Sequence, residues 1–227
     1  MPFDLFPNIG LLLFFSIVFL IVHSAGTLTA CALTGVKVEK IVLFYGKPVF
    51  TFQTHFCPIC IGYIPTGGYI SHDMQSFPNR PLLVRGFVSL AGLLAVSLSA
   101  MICLNIGHAA ISFIATYPQL VKGTLAPRSF GSDLFASFFA KARISLFLGY
   151  GTLAAKYVAI TMLPVPGGVM GQLLLQLAKK RHEDKLITIY SLFTTLVTLP
   201  ILICWATLSS ATSGETIDTL WFSSRDP

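Results

Sequence analysis

Four long apolar runs dominate the pattern along the chain, and charged residues are almost confined to the stretches between them. The runs cover about Ile9 to Leu33, Leu82 to Ile106, Ile144 to Leu177 and Leu186 to Leu208. Because a helix needs roughly 20 apolar residues to cross a bilayer, the pattern predicts four transmembrane helices. Proline removes a helical hydrogen bond, so we expect the third helix to break near Pro164 and Pro166.

The segment between the first two runs follows a different pattern. Residues 36–78 are rich in valine, isoleucine, phenylalanine and tyrosine and are interrupted by glycine and proline. This composition predicts short strands joined by turns. Open strand edges are not stable against lipid, so we expect a small membrane-associated sheet that lies at the membrane surface or is covered by protein.

Two further segments have less distinct patterns. Residues 107–120 are apolar enough either to extend the second helix or to lie along the interface. Residues 121–143 form a predicted amphipathic connector, within which an interfacial helix starts at a cap on Ser132 or Asp133 and ends at Ile144. The polarity of residues 209–227 indicates a tail, which leaves residues 1–208 as a single membrane domain.

Composition supports this reading, because 54% of the residues are hydrophobic and only 11% are charged. These values, with a mean hydropathy of +0.77, predict a multi-pass integral membrane protein of mainly α-helical fold. The net charge of +6 does not indicate nucleic-acid binding, since the basic residues lie in short loops beside the apolar runs, where they set orientation.

The distribution of basic residues predicts the orientation. Basic residues fill the first and third loops; they are Lys37, Lys40, Lys47, Arg80 and Arg85 in the first, and Lys179, Lys180, Arg181 and Lys185 in the third. We therefore expect both loops on the cytoplasmic side, and both termini on the non-cytoplasmic side, of a bacterial inner membrane or an organelle membrane. Basic residues of the middle connection count against this orientation; they are Lys122, Arg128, Lys141 and Arg143.

Four fragments occur in a recognisable order: "YGKPVF", "YIPTGGYI", "RPLLVRGFVSLAG" and "MLPVPGGVMGQLL". In order and spacing they resemble the site-2 protease family of intramembrane zinc metalloproteases, over about residues 9–177. The resemblance implies a helical core that carries a small sheet at the membrane edge. It also implies that an active site belongs on the first helix.

The resemblance identifies the positions that would carry the chemistry. Family members have HExxH on the first core helix, where two histidines on one helical face bind zinc and the glutamate activates water, and a late aspartate completes the site. Here "HSAGT" occupies that place: His23 keeps the first ligand position, Ser24 replaces the general base and Thr27 replaces the second ligand. Val169 stands at the position of the aspartate.

These substitutions lead to a negative expectation. Catalytic zinc usually needs three protein ligands, and all nine acidic residues lie outside the four predicted spans. The sequence therefore predicts no metal, no cofactor and a protein that is not an enzyme but a catalytically inactive homologue. On this reading His23 is a neutral imidazole bonded to Ser24, Thr27, Thr29 or a backbone carbonyl.

Two other features could carry chemistry. In "HFCPIC", the spacing of His55, Cys57 and Cys60 is compatible with a metal or a disulfide, although residues i and i+3 of a strand point to opposite faces. Apart from Arg85, near the start of the second run, Lys156 is the only charged residue within the predicted spans. We expect it either to be solvated locally or to pair with a partner helix.

The predicted function is that of a scaffold or accessory subunit that binds transmembrane partners in a membrane complex. Its expected partners are membrane lipids and either other membrane subunits or a client transmembrane helix. The candidate contact residues are Lys156 and five residues of "YIPTGGYI", namely Tyr63, Ile64, Gly67, Gly68 and Tyr69. The alternatives are an active metalloprotease with a non-standard metal site built from His23, His55 and His72, a small transporter or channel, and a chaperone for a client helix.

Overall fold

The computed structural model describes residues 5–54, 57–73, 76–163, 169–171 and 173. This part of the chain is mostly helical, with one small antiparallel sheet between the first two helices. The elements in chain order are α1 (Leu5–Thr34), β1 (Val38–Gln53), β2 (Pro58–His72), α2 (Leu82–Leu104), α3 (Ile106–Leu125), α4 (Ser132–Ile144) and α5 (Leu146–Thr161). Short 3-10 and π turns lie at Phe77–Asn79 and Pro127–Gly131.

Two of the described helices are long and apolar enough to cross a membrane, Asn8–Thr34 and Leu82–Leu104. They coincide with the first two predicted spans. The third predicted span is represented by α5, which has 16 residues and is shorter than a typical span. The fourth predicted span, the predicted break at Pro164 and Pro166 and the C-terminal tail lie outside the described residues, so four spans are not established.

The region predicted to contain short strands forms two long, bent strands. β1 pairs with β2 antiparallel, from Val38 opposite His72 to Leu43 opposite Gly68, and again from Pro48 opposite Gly62 to Gln53 opposite Pro58. Residues 41–43 have a second set of partners in residues 59–61. Residues 41–43 of β1 are therefore paired on both sides, whereas residues 48–53 and 68–72 form the outer edges.

Tyrosines and glycines meet where the two strands bend. Gly46 and Gly67 have φ angles of +98° and +70°, which glycine adopts without steric cost. The ring of Tyr63 covers Gly46 and the ring of Tyr45 covers Gly67, so a Cβ atom at either glycine would overlap a ring. These reciprocal contacts hold the two bends of the sheet together.

The helices pack around a core to which α1, α2, α4 and α5 contribute. Phe15 and Val96 are 0% exposed at its centre. Phe15 lies 6.4 Å from Tyr150, and Phe19 lies 4.0 Å from Tyr157, measured between ring centroids. Because later residues of α1 meet later residues of α5, these two helices run in the same direction.

The two segments with less distinct patterns are both helical. Residues 107–120 belong to α3, which is separated from α2 by Asn105 at a φ of +64°. α4 begins at Ser132 after Gly131 at the N-cap position, without a side-chain cap. Its residues Phe139 and Ala142 are buried, so part of its apolar face packs on the other helices.

Candidate functional site

The His23 imidazole lies at the place where α1 crosses α2. Its ring rests on Gly92, where an added Cβ atom would come within 2.5 Å of Nε2. Phe19, one turn earlier on α1, stacks on the same ring at 5.9 Å between centroids and 27° between planes. A residue with any side chain at position 92 would displace the imidazole, so Gly92 and Phe19 together determine its position.

The hydroxyl groups near His23 bond to the backbone of α1. Thr27 is buried, and its Oγ1 donates to the carbonyl oxygen of His23 at 3.2 Å. Thr29 donates in the same way to the carbonyl of Ala25 at 2.8 Å. Threonine in a helix commonly bonds to the carbonyl four residues earlier. In these contacts the two hydroxyls donate to carbonyl oxygens of α1 and not to the His23 ring. The packing of Phe19 and Gly92 against the imidazole holds it in place.

The described residues do not fit the three-ligand zinc centre that the motif would require. Within residues 5–54, 57–73, 76–163, 169–171 and 173, no three histidine, cysteine, aspartate or glutamate side chains come together. Val169 is half-buried in a helical stretch and has no donor atom. His55 and His182, which could supply imidazoles, lie outside the described residues. The described residues therefore do not supply a complete set of zinc ligands.

His72, a candidate donor in the non-standard metal site, lies at the end of β2. Its ring stacks on Phe77 at 4.6 Å between centroids and 15° between planes. Its Nε2 atom is buried and has no hydrogen-bond partner in the described part of the chain. Burial lowers the pKa of the His72 imidazole, because the charged form is poorly solvated there.

Cys57 and Cys60 are buried free thiols, each 6% exposed. Thr51 Oγ1 donates to the Cys60 sulfur at 3.6 Å. Burial raises the pKa of the Cys57 thiol, an effect that a hydrogen bond with Thr54 partly offsets. Since the thiolate is the reactive form, this environment disfavours reactivity at Cys57.

The "YIPTGGYI" stretch of β2 combines exposed rings with close contacts to α1. Tyr63, Ile64 and Tyr69 are all exposed. Gly68 faces α1, and a Cβ atom there would lie 3.1 Å from Leu20 Cδ1. Leu20 precedes His23 by about one helical turn. The outer edge of the sheet at residues 68–72 is therefore close to the helix that carries His23.

The Lys156 side chain forms a hydrogen bond with another residue of the chain. Its ammonium group donates to Gln119 Oε1, a contact that joins α5 to α3. Gln119 is a residue that sequence reasoning missed, because the two side chains are 37 residues apart and no local pattern relates them. The charge on Lys156 is therefore solvated locally by an amide, one of the two alternatives expected.

A comparison with known proteins identifies a similar protein whose name states an activity. A Synechocystis protein named "Putative zinc metalloprotease" is 30% identical to this chain over 116 residues. The match covers 46% of this chain and 32% of the relative, so the chain spans about a third of the relative's length.

The model of peptidase family M50, the site-2 protease family, matches residues 10–217, which is most of the chain. The family match and the relative's name both point to a zinc metalloprotease, and they overturn the expectation that this protein is not an enzyme. That expectation was drawn from the loss of ligands at the motif positions, and the active metalloprotease with a non-standard metal site was kept only as an alternative. The predicted resemblance is confirmed, and the chain belongs to peptidase family M50.

Proposed function

We propose that this member of the M50 family binds an extended segment of another membrane protein along the sheet edge at residues 68–72. The partner is a client or a fellow subunit of a membrane complex. The observation that carries the proposal is the position of this edge: β1 pairs with it on one side, and α1 lies against it close to His23.

The pairing of the sheet supports this choice of edge. Residues 68–72 pair with residues 38–43 of β1, and in the described part of the chain no further strand pairs with them. A strand paired on one side presents N–H and C=O groups that an incoming extended peptide satisfies. The exposed ring of Tyr69 lies along the same edge and provides apolar contact area.

Site-specific photo-crosslinking tests the proposal in the native membrane. A photoreactive phenylalanine analogue is placed at Tyr69, which is 51% exposed, and in a second variant at Ile111 on α3, which is 66% exposed. We expect one major protein adduct from position 69 and little from position 111, because only the first lies on the binding edge. The adduct partner is then identified by mass spectrometry.

Positions 69 and 111 are both exposed, so a difference between their adducts depends on location and not on exposure. Similar adducts from both positions would mean that exposure alone determines crosslinking, and the edge would lose its assigned role. Absence of any adduct at position 69, in a variant that folds and reaches the membrane normally, would contradict the proposal directly.

A second candidate function is peptide hydrolysis, which the family match and the name of the Synechocystis relative favour. The family position retained in this chain is His23, held between Gly92 and Phe19. Its test is cleavage of the crosslinked partner by the purified full-length protein, together with metal analysis of the same preparation.

Two histidine variants distinguish cleavage by this protein from cleavage by a contaminating protease. His23→Ala is expected to abolish cleavage, whereas His108→Ala, at an exposed position on α3, is expected to leave it unchanged. Equal cleavage by the wild type and by His23→Ala would exclude His23 from the reaction.

We further propose a multi-pass topology in which the sheet lies on the cytoplasmic side. Its support is the set of basic residues that flank the sheet, including Lys37, Lys40 and Arg80. Single-cysteine labelling tests the orientation: an impermeant reagent added to the non-cytoplasmic side is expected to leave a cysteine at position 40 unmodified. Labelling from that side would reverse the assignment.

A further inference from the structure

A cavity of about 370 Å³ lies at the end of the helical domain opposite the sheet. It is formed where the first turns of α1 meet the junction between α4 and α5. Its lining includes Asn8, Leu11, Arg143, Ile144, Ser145 and Leu146. The cavity is separate from the surroundings of His23 and from the sheet edge, so neither proposed function uses it.

One cationic group in the cavity is held in place by a buried amide. Arg143 Nη2 donates to Asn8 Oδ1 at 3.2 Å. Asn8 is only 6% exposed, so its carbonyl is fixed within the helical packing. A guanidinium group has five N–H donors, and this bond uses one of them. Asn8 therefore orients the guanidinium while leaving donors for an anionic acceptor.

The rim of the cavity is apolar. Ile144 and Leu146 are 80% and 52% exposed, and the neighbouring Phe147 is 73% exposed. In a membrane-embedded protein such side chains are stable against acyl chains. The cavity thus places the Arg143 guanidinium and the Ser145 hydroxyl beside an apolar rim that acyl chains can contact.

We propose that this cavity binds the phosphate group of an anionic phospholipid. Arginine forms short, charge-assisted and often bidentate hydrogen bonds to phosphate. The Arg143 guanidinium and the Ser145 hydroxyl contact the phosphate, and the exposed side chains at the rim contact the acyl chains. A free phosphate ion would use the first of these contacts without the second.

Native mass spectrometry of the full-length protein in mild detergent tests the site with three probes: phosphatidylglycerol, phosphatidylcholine and inorganic phosphate. Arg143→Gln removes the fixed cation. Lys141→Gln is the matched control, because it removes the same charge from the same end of α4 at an exposed position outside the cavity lining. We expect Arg143→Gln to bind phosphatidylglycerol about tenfold more weakly than the wild type does. The affinity of Lys141→Gln for the same lipid should differ from that of the wild type by less than about twofold.

Three results would overturn the proposal. Equal weakening in both variants would indicate general electrostatic attraction. Equal binding of phosphatidylcholine and phosphatidylglycerol by the wild type would show that headgroup charge is not recognised. Displacement of phosphatidylglycerol by inorganic phosphate at equal concentration would assign the cavity to the free ion.

A second variant keeps the test valid if Arg143→Gln does not fold. Ile144→Glu places a negative charge on the rim at a position that is 80% exposed, so the helical core is retained. It is expected to weaken phosphatidylglycerol binding by about tenfold through repulsion of the phosphate. Unchanged binding in this variant would also overturn the proposal.

Discussion

Glycines make close contacts in two regions of this protein, but their neighbours differ. At the crossing of α1 and α2, a Cβ atom on Gly26 would lie 2.7 Å from the carbonyl oxygen of Ala91. At the bends of the sheet, the atoms in contact with Gly46 belong to the ring of Tyr63, which is 60% exposed. A backbone carbonyl cannot move without moving its helix, whereas an exposed ring can rotate away. The crossing is therefore rigid at Gly26, whereas the exposed ring over Gly46 is adaptable.

This difference matches the roles proposed for the two regions. The crossing positions His23 through Gly92, and a small displacement there changes the placement of the imidazole. In the proposed function, the sheet presents exposed rings such as Tyr69 to the partner segment. A rigid helical site beside an adaptable surface ring would hold such a segment at one fixed position.

The largest effect is expected from Gly26→Ala. The added methyl group would clash with Ala95 Cβ and with the Ala91 carbonyl, and both atoms belong to the facing helix. Overpacking of this kind costs about 3 kcal/mol when the backbone must shift. Thermal unfolding of the purified protein in mild detergent measures the loss of stability.

Gly10→Ala is the matched control for this variant. Gly10 is also in α1, but a Cβ atom added there would have no neighbour within 4 Å. We expect it to be neutral or slightly stabilising, since alanine has the higher helix propensity. Equal unfolding temperatures for the two variants would mean that the crossing is not rigid.

The long helices could be predicted from the sequence because each corresponds to one continuous apolar run. The apolar runs predicted 9–33 and 82–106, and the structure has Leu5–Thr34 and Leu82–Leu104. The sheet was predicted to exist, but not its long bent strands, because those depend on contacts between distant residues such as Tyr45 and Gly67. The second run was predicted to end near the end of α2, but whether residues 107–120 continue that helix was left open, because the break depends on one residue, Asn105, with a positive φ.

A smaller effect is expected at the contact between α3 and α5. Gln119→Leu removes the acceptor of the Lys156 ammonium group and leaves the charge without that bond. Loss of a hydrogen bond to a charged group costs about 2 kcal/mol. The double variant Gln119→Leu with Lys156→Met is expected to recover most of this stability, because neither polar group remains. A double variant as unstable as Gln119→Leu would show that the Lys156 charge is not responsible for the loss.

A still smaller effect is expected at the sheet bend. Gly46→Ala forces a left-handed φ on alanine, which costs about 1–2 kcal/mol, and the Tyr63 ring can rotate to relieve the contact. Gly35→Ala has only the backbone cost, since Gly35 has a φ of +64° and no neighbour within 4 Å of an added Cβ atom. Similar unfolding temperatures for the two variants would confirm an adaptable ring. A much greater loss in Gly46→Ala would show that the sheet surface is as rigid as the crossing.

The candidate site was predictable in part. His23 was identified because a histidine within an apolar run is conspicuous. Its neighbours Phe19 and Gly92 were not, because stacking on a ring and contact with a facing glycine leave no specific signal in the sequence. The cavity at Arg143 was also missed, since its bond to Asn8 joins residues that are 135 positions apart.

The smallest effect is a pH dependence that originates at the base of the sheet. Burial lowers the pKa of the His72 imidazole below its ordinary value of 6.5, so folding favours the neutral ring. Below that value the unfolded chain binds a proton that the folded protein does not, and stability falls as the pH decreases. His72→Phe keeps the stacking on Phe77 and removes the titrating group. Its unfolding temperature should therefore change less between about pH 7.5 and about pH 5 than that of the wild type. If His72→Phe showed the full pH dependence of the wild type, the titrating group would lie elsewhere, and burial of His72 would not be the cause.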